Sequence, residues 1–473
     1  MKKTIIFALA LALLGGAAYA NFAARDTVPA ATLLVPYIIV DTDSAGTPNP
    51  AGYTTLTVVT NVSSSKEIIH VSVFNAASEA VIDFDEVLSG YDVWSINWKD
   101  LVTGDFENFD TGSPTSGFWA GTIEGTAPQS WGPTMNLKPT FTGLLPADDT
   151  DFPNPPNTGC GFPWGNQTIY HGLIVSGLQS PLVAWPDQDT NCIPTDGAEI
   201  KNWPGWLSTL GDTPLFFYAT IDVVRHCNSH FPDDAAYWLG DVNSPGQYPT
   251  EANVITGYDF YLNFASNLSE SLPTVNIEAW GGWNSIGFYS ANKVNANLTP
   301  AQDREPLPTA WQFNFFTGPV TTYVNVWKNY DDFETAYDFV AACRPYIYYA
   351  FDENENSKSS TTPNCPSGTF CLQPEPNVFP FQTQRVPVNP TNFDGLLTGN
   401  GWMLLIFDPS IPYPDGVDLY LQSYVFAQYV YGAYSTAVEA TTMSNVWAFP
   451  GQTLPNLDTY DGQFLVYPAS PTP

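Results

Sequence analysis

The chain has 473 residues, of which 13% are charged, 44% hydrophobic and 15% aromatic. That is too apolar for a disordered chain, and the length suffices for one large or two medium cores. Acidic residues number 47 against 14 Lys and Arg, a formal net charge of −33; this excludes nucleic-acid binding, which needs clustered cations, and opposes docking on anionic lipid.

The chain opens as a leader. Met1-Lys2-Lys3-Thr4 is a short basic stretch, Ile5 to Leu14 is apolar, and Ala18-Tyr19-Ala20 supplies a small-x-small cleavage site. The apolar run breaks at Gly15-Gly16, short of the ~20 residues a membrane anchor needs. No Cys follows the cleavage site, so lipidation is not expected. The expectation is a signal peptide over 1–20, a mature chain from Asn21, and an exported bacterial protein without membrane insertion after cleavage. Its place would be the periplasm, the cell surface or the medium.

Beyond the leader the chain reads as strands and turns. Forty-two prolines and 35 glycines leave little room for long helices. Thr54–Asn61 sets Leu56 and Val58 on one face among threonines. Ile69, Val71 and Val73 alternate with His70 and Ser72, and Val81–Val87 sends Ile82 and Phe84 inward with Asp83 and Asp85 outward. Tyr91–Trp98 stacks Trp94, Ile96 and Trp98 as core. Alternation of this kind, punctuated by turn signals, predicts half-buried strands of a sandwich. Further strands are expected at Leu215–Val224, Tyr258–Phe264, Val275–Ala279, Ala310–Phe316, Thr321–Lys328, Tyr346–Phe351, Gly401–Phe407, Gln422–Tyr431 and Tyr434–Ala440.

The expected fold is therefore all-β: one or two antiparallel β-sandwiches of Ig-like or jelly-roll type with long, loop-rich, disulfide-stapled insertions. The division expected is a first, discontinuous sandwich from 21–102 plus 401–473, an insertion over 103–214, and a second, interleaved β-rich region over 215–400. A single continuous jelly-roll-like body is the alternative.

Six cysteines follow the leader: Cys160, Cys192, Cys227, Cys343, Cys365 and Cys371. An even count in an exported chain predicts three disulfides, and no C-x2-C pair supports a zinc site. Cys365 and Cys371 flank a Pro/Gly turn and suit a local bridge; Cys160–Cys192 and Cys227–Cys343 are the remaining pairs expected.

Several blocks together resemble a family of exported bacterial β-rich proteins, most of them hypothetical. They are Ala24-Arg25-Asp26-Thr27-Val28-Pro29, Thr54-Thr55-Leu56-Thr57, Val81-Ile82-Asp83-Phe84-Asp85, Ile221-Asp222-Val223-Val224-Arg225-His226-Cys227, Asp303-Arg304-Glu305-Pro306-Leu307-Pro308 and Phe351-Asp352-Glu353-Asn354-Glu355. The resemblance spans most of 24–356. It implies export and a β-rich fold, and it carries over no activity, cofactor or site residue.

Candidate chemistry is sparse. His226-Cys227-Asn228-Ser229-His230 is the one close His/Cys group, but a strand ends just before it and the helical spacing of its imidazoles goes unused. His70 and His171 stand alone, and no G-x-S-x-G elbow occurs. Asp187, Asp189 and Asn191 take the first, third and fifth places of a calcium loop, making calcium the one cofactor these residues suggest. Yet Cys192 stands where the EF-hand turn needs Gly, and Ala198 where it needs Glu. Asp41-Thr42-Asp43, Asp148-Asp149-Thr150-Asp151 and Asp352-Glu353-Asn354-Glu355 are equally incomplete; the plain alternative is solvated turns. Trp203-Pro204-Gly205-Trp206 and Trp280-Gly281-Gly282-Trp283 sit in turns, where Trp203, Trp206, Trp280 and Trp283 are candidates for glycan contact.

With no complete catalytic constellation, the functional expectation is a non-enzymatic exported protein. It would be a cell-surface or matrix component, or a secreted binding module, with a glycan or another surface protein as partner. An enzyme acting on polysaccharide through paired carboxylates is the alternative.

Overall fold

In the computed structural model, residues 28–43, 46–76, 78, 80–103, 118–119, 174–179, 215–225, 231–232, 237–238, 249–279, 288–289, 304–305, 307–308, 310–329, 346–353, 357–359, 379, 382–389, 393, 399–407, 422–432 and 434–442 are described. The leader, all six cysteines, Asp187, Asp189, Asn191 and the four turn tryptophans lie outside these residues.

The fold is all-β, built from four antiparallel sheets. The N-terminal strands are β1 (Thr32–Val40), β2 (Tyr53–Asn61), β3 (Glu67–Asn75), β4 (Ala80–Leu88) and β5 (Val93–Asn97), followed by the one-and-a-half-turn helix α1 (Trp98–Thr103) and β6 (Phe118–Trp119). Then come β7 (Leu215–Val224), β8 (Ile255–Asn263), β9 (Leu268–Pro273) and β10 (Val275–Ile277). These ten strands form two sheets, β10-β1-β7-β3-β4-β6 and β5-β2-β8-β9. The later strands are β11 (Ala310–Phe315), β12 (Thr321–Lys328), β13 (Tyr346–Asp352), β14 (Ser357–Ser359), β15 (Thr383–Pro387), β16 (Gly401–Phe407), β17 (Ser423–Tyr431), β18 (Tyr434–Glu439) and β19 (Thr441–Thr442). They form the sheets β15-β12-β17-β18 and β14-β13-β16-β11-β19.

At the chain ends the strands pair within two separate groups. The N-terminal strands take their partners from 215–277, and the strands of 401–442 take theirs from 310–387. The two ends therefore do not share a sheet.

The sheet β10-β1-β7-β3-β4-β6 is buried on both faces. One face places Leu33, Ile221, Val71 and Phe84 in a core shared with Val59, Trp94, Ile96 and Trp98 of the β5-β2-β8-β9 sheet and its following helix. Trp98 meets Phe217 edge-on at 5.8 Å and Phe84 lies 6.3 Å from Trp94. The other face joins the larger core, which runs through Phe216, Tyr218, Tyr261 and Leu272 into Trp311, Val324, Trp327, Tyr348 and Phe426.

This double burial explains why β1 shows no alternation. All nine residues, Thr-Leu-Leu-Val-Pro-Tyr-Ile-Ile-Val, are buried, as expected for a strand covered on both sides. Pro36 has no N–H for the ladder, and the β1–β7 register shifts between Val35 and Ile38, where a bulge accommodates it.

The two pairs of sheets are tied through polar groups. Gln382 N–H donates to the Ala76 carbonyl (2.8 Å), Gln428 Nε2 donates to Glu270 (2.7 Å), and Asn325 Nδ2 donates to Gln428 (3.0 Å). Beside them Arg385 is buried with its guanidinium 3.9 Å from the Tyr323 ring centre and 5.6 Å from that of Tyr53, a desolvated cation–π arrangement. Burial pulls its pKa down, but Tyr53, Tyr37, Tyr323 and Glu270 outweigh it and the net shift is upward.

One glycine is fixed by close approach. A Cβ on Gly401 would stand 1.9 Å from the Phe351 carbonyl oxygen and 2.8 Å from the Phe315 ring. Gly401→Ala should therefore destabilise the β13–β16–β11 seam by about 1–3 kcal/mol, read as a lower denaturant midpoint. An unchanged midpoint would show that the seam relaxes freely.

Candidate functional site

The densest group of ionisable side chains in the described residues comes from one row across a sheet. Thr32 on β1, Asp222 on β7, His70 on β3 and Asp85 on β4 stand directly opposite one another in register. Because side chains alternate along a strand, all four emerge on one face. Ser72 and Asp83 follow two residues on, in the next row. The opposite face carries the apolar residues of the smaller core.

The contacts are specific. Asp222 Oδ2 accepts hydrogen bonds from the hydroxyls of Tyr237 (2.8 Å) and Tyr289 (2.7 Å), while its Oδ1 accepts from Thr32 Oγ1. Thr32 Oγ1 in turn accepts from Arg304 Nε (2.7 Å), and a second guanidinium nitrogen donates to the Thr250 carbonyl (2.9 Å). His70 Nδ1 lies 2.8 Å from Asp85 Oδ1, and Nε2 lies 3.7 Å from Asp83 Oδ2. The imidazole packs against the Tyr237 ring at 5.5 Å.

None of this is open to water. His70, Asp83, Asp85, Asp222 and Arg304 are each 0% exposed. An aromatic layer covers them: Trp238 meets Tyr237 at 5.1 Å and Tyr289 at 5.0 Å, and Phe288 stacks on Trp327 at 5.5 Å. Burial first, and then the Asp222 charge, pushes the Tyr237 and Tyr289 phenols well above their usual pKa. Both therefore stay protonated and act as hydrogen-bond donors to Asp222.

The sequence pattern placed His70, Ser72, Asp83 and Asp85 on a polar, outward face. The structure corrects this, because that face packs into the larger core. The composition Ser72, His70, Asp85 is that of a hydrolase triad, but the required chain of bonds is absent. Ser72 Oγ is buried and makes no hydrogen bond. Among the described residues no three His, Cys, Asp or Glu side chains are placed to hold a metal ion.

Asp222, Tyr237, Tyr289 and Arg304 were not singled out for chemistry by sequence. Asp222 did leave a signal. It is the single charged residue in the ten-residue strand Leu-Phe-Phe-Tyr-Ala-Thr-Ile-Asp-Val-Val, and a carboxylate in so apolar a run must find partners.

A second ionisable group is isolated. Asp259 on β8 is buried on the inward face of the β5-β2-β8-β9 sheet, opposite Thr57 on β2. Thr57 Oγ1 donates to Asp259 Oδ1 (2.7 Å) and accepts from Trp98 Nε1 (2.8 Å). Burial raises the Asp259 pKa to about 8, against the smaller lowering effect of the Thr57 bond.

The outward face of the same sheet is the contrasting surface. The residues alternating outward run from Val93 to Asn97 on β5, Thr54 to Thr60 on β2, Thr256 to Leu262 on β8 and Ser269 to Pro273 on β9. None is charged. Leu56 lies opposite Phe260, and Val58 opposite Tyr258, which is 45% exposed. Hydroxyl and amide side chains, among them Ser95, Asn97, Ser269 and Ser271, flank this apolar centre. No family model, curated protein or solved structure matches the chain.

Proposed function

We propose that the chain is an exported, non-enzymatic protein that serves as a cell-surface or matrix component or a secreted binding module. The observation that carries this reading is the closure of the His70–Asp222 cluster. General acids, bases and nucleophiles must reach a substrate atom, and these groups are enclosed by a sheet on one side and aromatic rings on the other. Their arrangement suits a clamp: Asp222 joins β1 and β7 to the segments carrying Tyr237, Tyr289 and Arg304, while His70 joins β3 to β4. The accessible strand surface, by contrast, offers uncharged contacts.

Export rests on the leader sequence and on the even cysteine count, which suits three disulfides in an oxidising compartment. The resemblance to exported β-rich proteins supports the same reading.

Expression in a bacterial host followed by intact-mass measurement tests the first half. The expected product begins at Asn21 and is six hydrogens lighter than the fully reduced chain; an uncleaved, fully reduced product contradicts export. A broad glycan panel tests the second half, with no product released. Turnover that disappears on replacing one Asp or Glu would establish a polysaccharide-cleaving enzyme instead.

A further inference from the structure

We infer that the outward face of the β5-β2-β8-β9 sheet is a binding surface for an uncharged polysaccharide, an inference that rests on the binding-module reading. The first ground is charge. A chain with 47 acidic and 14 basic residues carries no charge at any outward position of these four paired strands. A neutral partner meets that face without leaving a buried charge unpaired.

The second ground is the layout. Tyr258 and Phe260 on β8, with Val58 and Leu56 opposite them on β2, make an apolar strip on a paired and therefore rigid sheet. A sugar ring presents an apolar C–H face to such a strip and a rim of hydroxyls to its surroundings. Ser95 on β5 and Ser271 on β9 stand on either side of the strip and offer neutral donors and acceptors to that rim. An apolar centre within a polar border is the usual anatomy of a recognition surface.

Other occupants fit less well. A second copy would bring two chains of net charge −33 together, with like-charge repulsion opposing association. Anionic polysaccharides and anionic lipid surfaces meet the same repulsion.

The test is co-sedimentation of the full chain with insoluble cellulose and with chitin, with an anionic alginate gel as the control. Sedimentation with at least one neutral polysaccharide is expected, little affected by salt, and absent with alginate. Tyr258→Glu places a charge on an exposed position without touching the core and should weaken binding at least tenfold. Tyr258→Trp should retain it, and circular dichroism and the melting temperature of both variants should match the parent.

Failure to sediment with either neutral polysaccharide, or equal binding by Tyr258→Glu, overturns the inference. So does a dimer in light scattering that Tyr258→Glu dissociates, since that assigns the face to a second copy. Release of reducing sugar alongside Tyr258-dependent binding would overturn the non-enzymatic reading and leave the face's assignment intact.

Discussion

Asp222→Ala is expected to lower the unfolding free energy by about 3–5 kcal/mol, because three hydrogen bonds to one buried charged acceptor are lost together and each contributes about 1.5–3 kcal/mol before the site relaxes. The substitution removes the acceptor for Tyr237, Tyr289 and Thr32 at once. It also removes the carboxylate that faces the buried Arg304 guanidinium through Thr32. Each of these donors retains its desolvation penalty and loses the charged acceptor that offset much of it. Asp222→Asn keeps the shape and one acceptor oxygen, so its loss should be smaller. Urea unfolding of the parent and both variants measures this directly. A loss below about 1 kcal/mol for Asp222→Ala, the scale of one ordinary hydrogen bond, would mean that the cluster does not clamp the sheet.

The second large effect is a pH dependence that belongs to Asp259. Its folded pKa is raised by burial from 3.8 to about 8, so the folded state holds this proton more tightly than the unfolded chain does. The stabilising contribution is fully present below the unfolded value, declines as pH rises, and is gone once pH passes the folded value. Between about pH 4 and pH 8 the loss is about 1.4 kcal/mol per pH unit. Near pH 7 that amounts to roughly 4 kcal/mol relative to a carboxyl that never ionises. Asp259→Asn keeps an acceptor for the Thr57 hydroxyl and cannot ionise. The variant should therefore be the more stable protein at neutral pH, with the difference shrinking toward pH 4. Melting curves of parent and variant across pH 4–9 check the sign. A constant difference across that range would show that Asp259 is solvated.

Much of the fold was legible because half-buried strands carry a period of two. The expected bounds of Leu215–Val224, Thr321–Lys328 and Gly401–Phe407 agree with β7, β12 and β16. Trp94, Ile96 and Trp98 are core, as their phase implies. What failed to show has physical causes. β1 is covered on both faces, so its apolar run has no alternation to detect, and Pro36 argues locally against a strand. β9 runs Leu-Ser-Glu-Ser-Leu-Pro, with Glu270 turned inward toward Gln428, which gives a polar pattern with too few apolar residues to register. Partner choice between distant strands is a matter of global packing, which no local pattern encodes.

The candidate site was misread for a related reason. Alternation reports that His70, Asp83 and Asp85 share a face. It does not report whether water or a second layer of protein lies beyond that face. Here the layer comes from Tyr237, Trp238, Phe288 and Tyr289, more than 150 residues along the chain. The calcium and tryptophan candidates fall outside the described residues, so the structure neither joins nor separates them.

The dense ionisable cluster of the described residues is closed to solvent and works as scaffold. Native-state modification of histidine with diethyl pyrocarbonate, mapped by peptide mass spectrometry with and without urea, tests it most directly. His70 should stay unmodified in the folded protein and react only as the chain unfolds, in step with the unfolding transition. Modification of His70 in the native protein at the rate of a free imidazole would contradict it and return the His70–Asp85 pair to the list of groups that a substrate can reach.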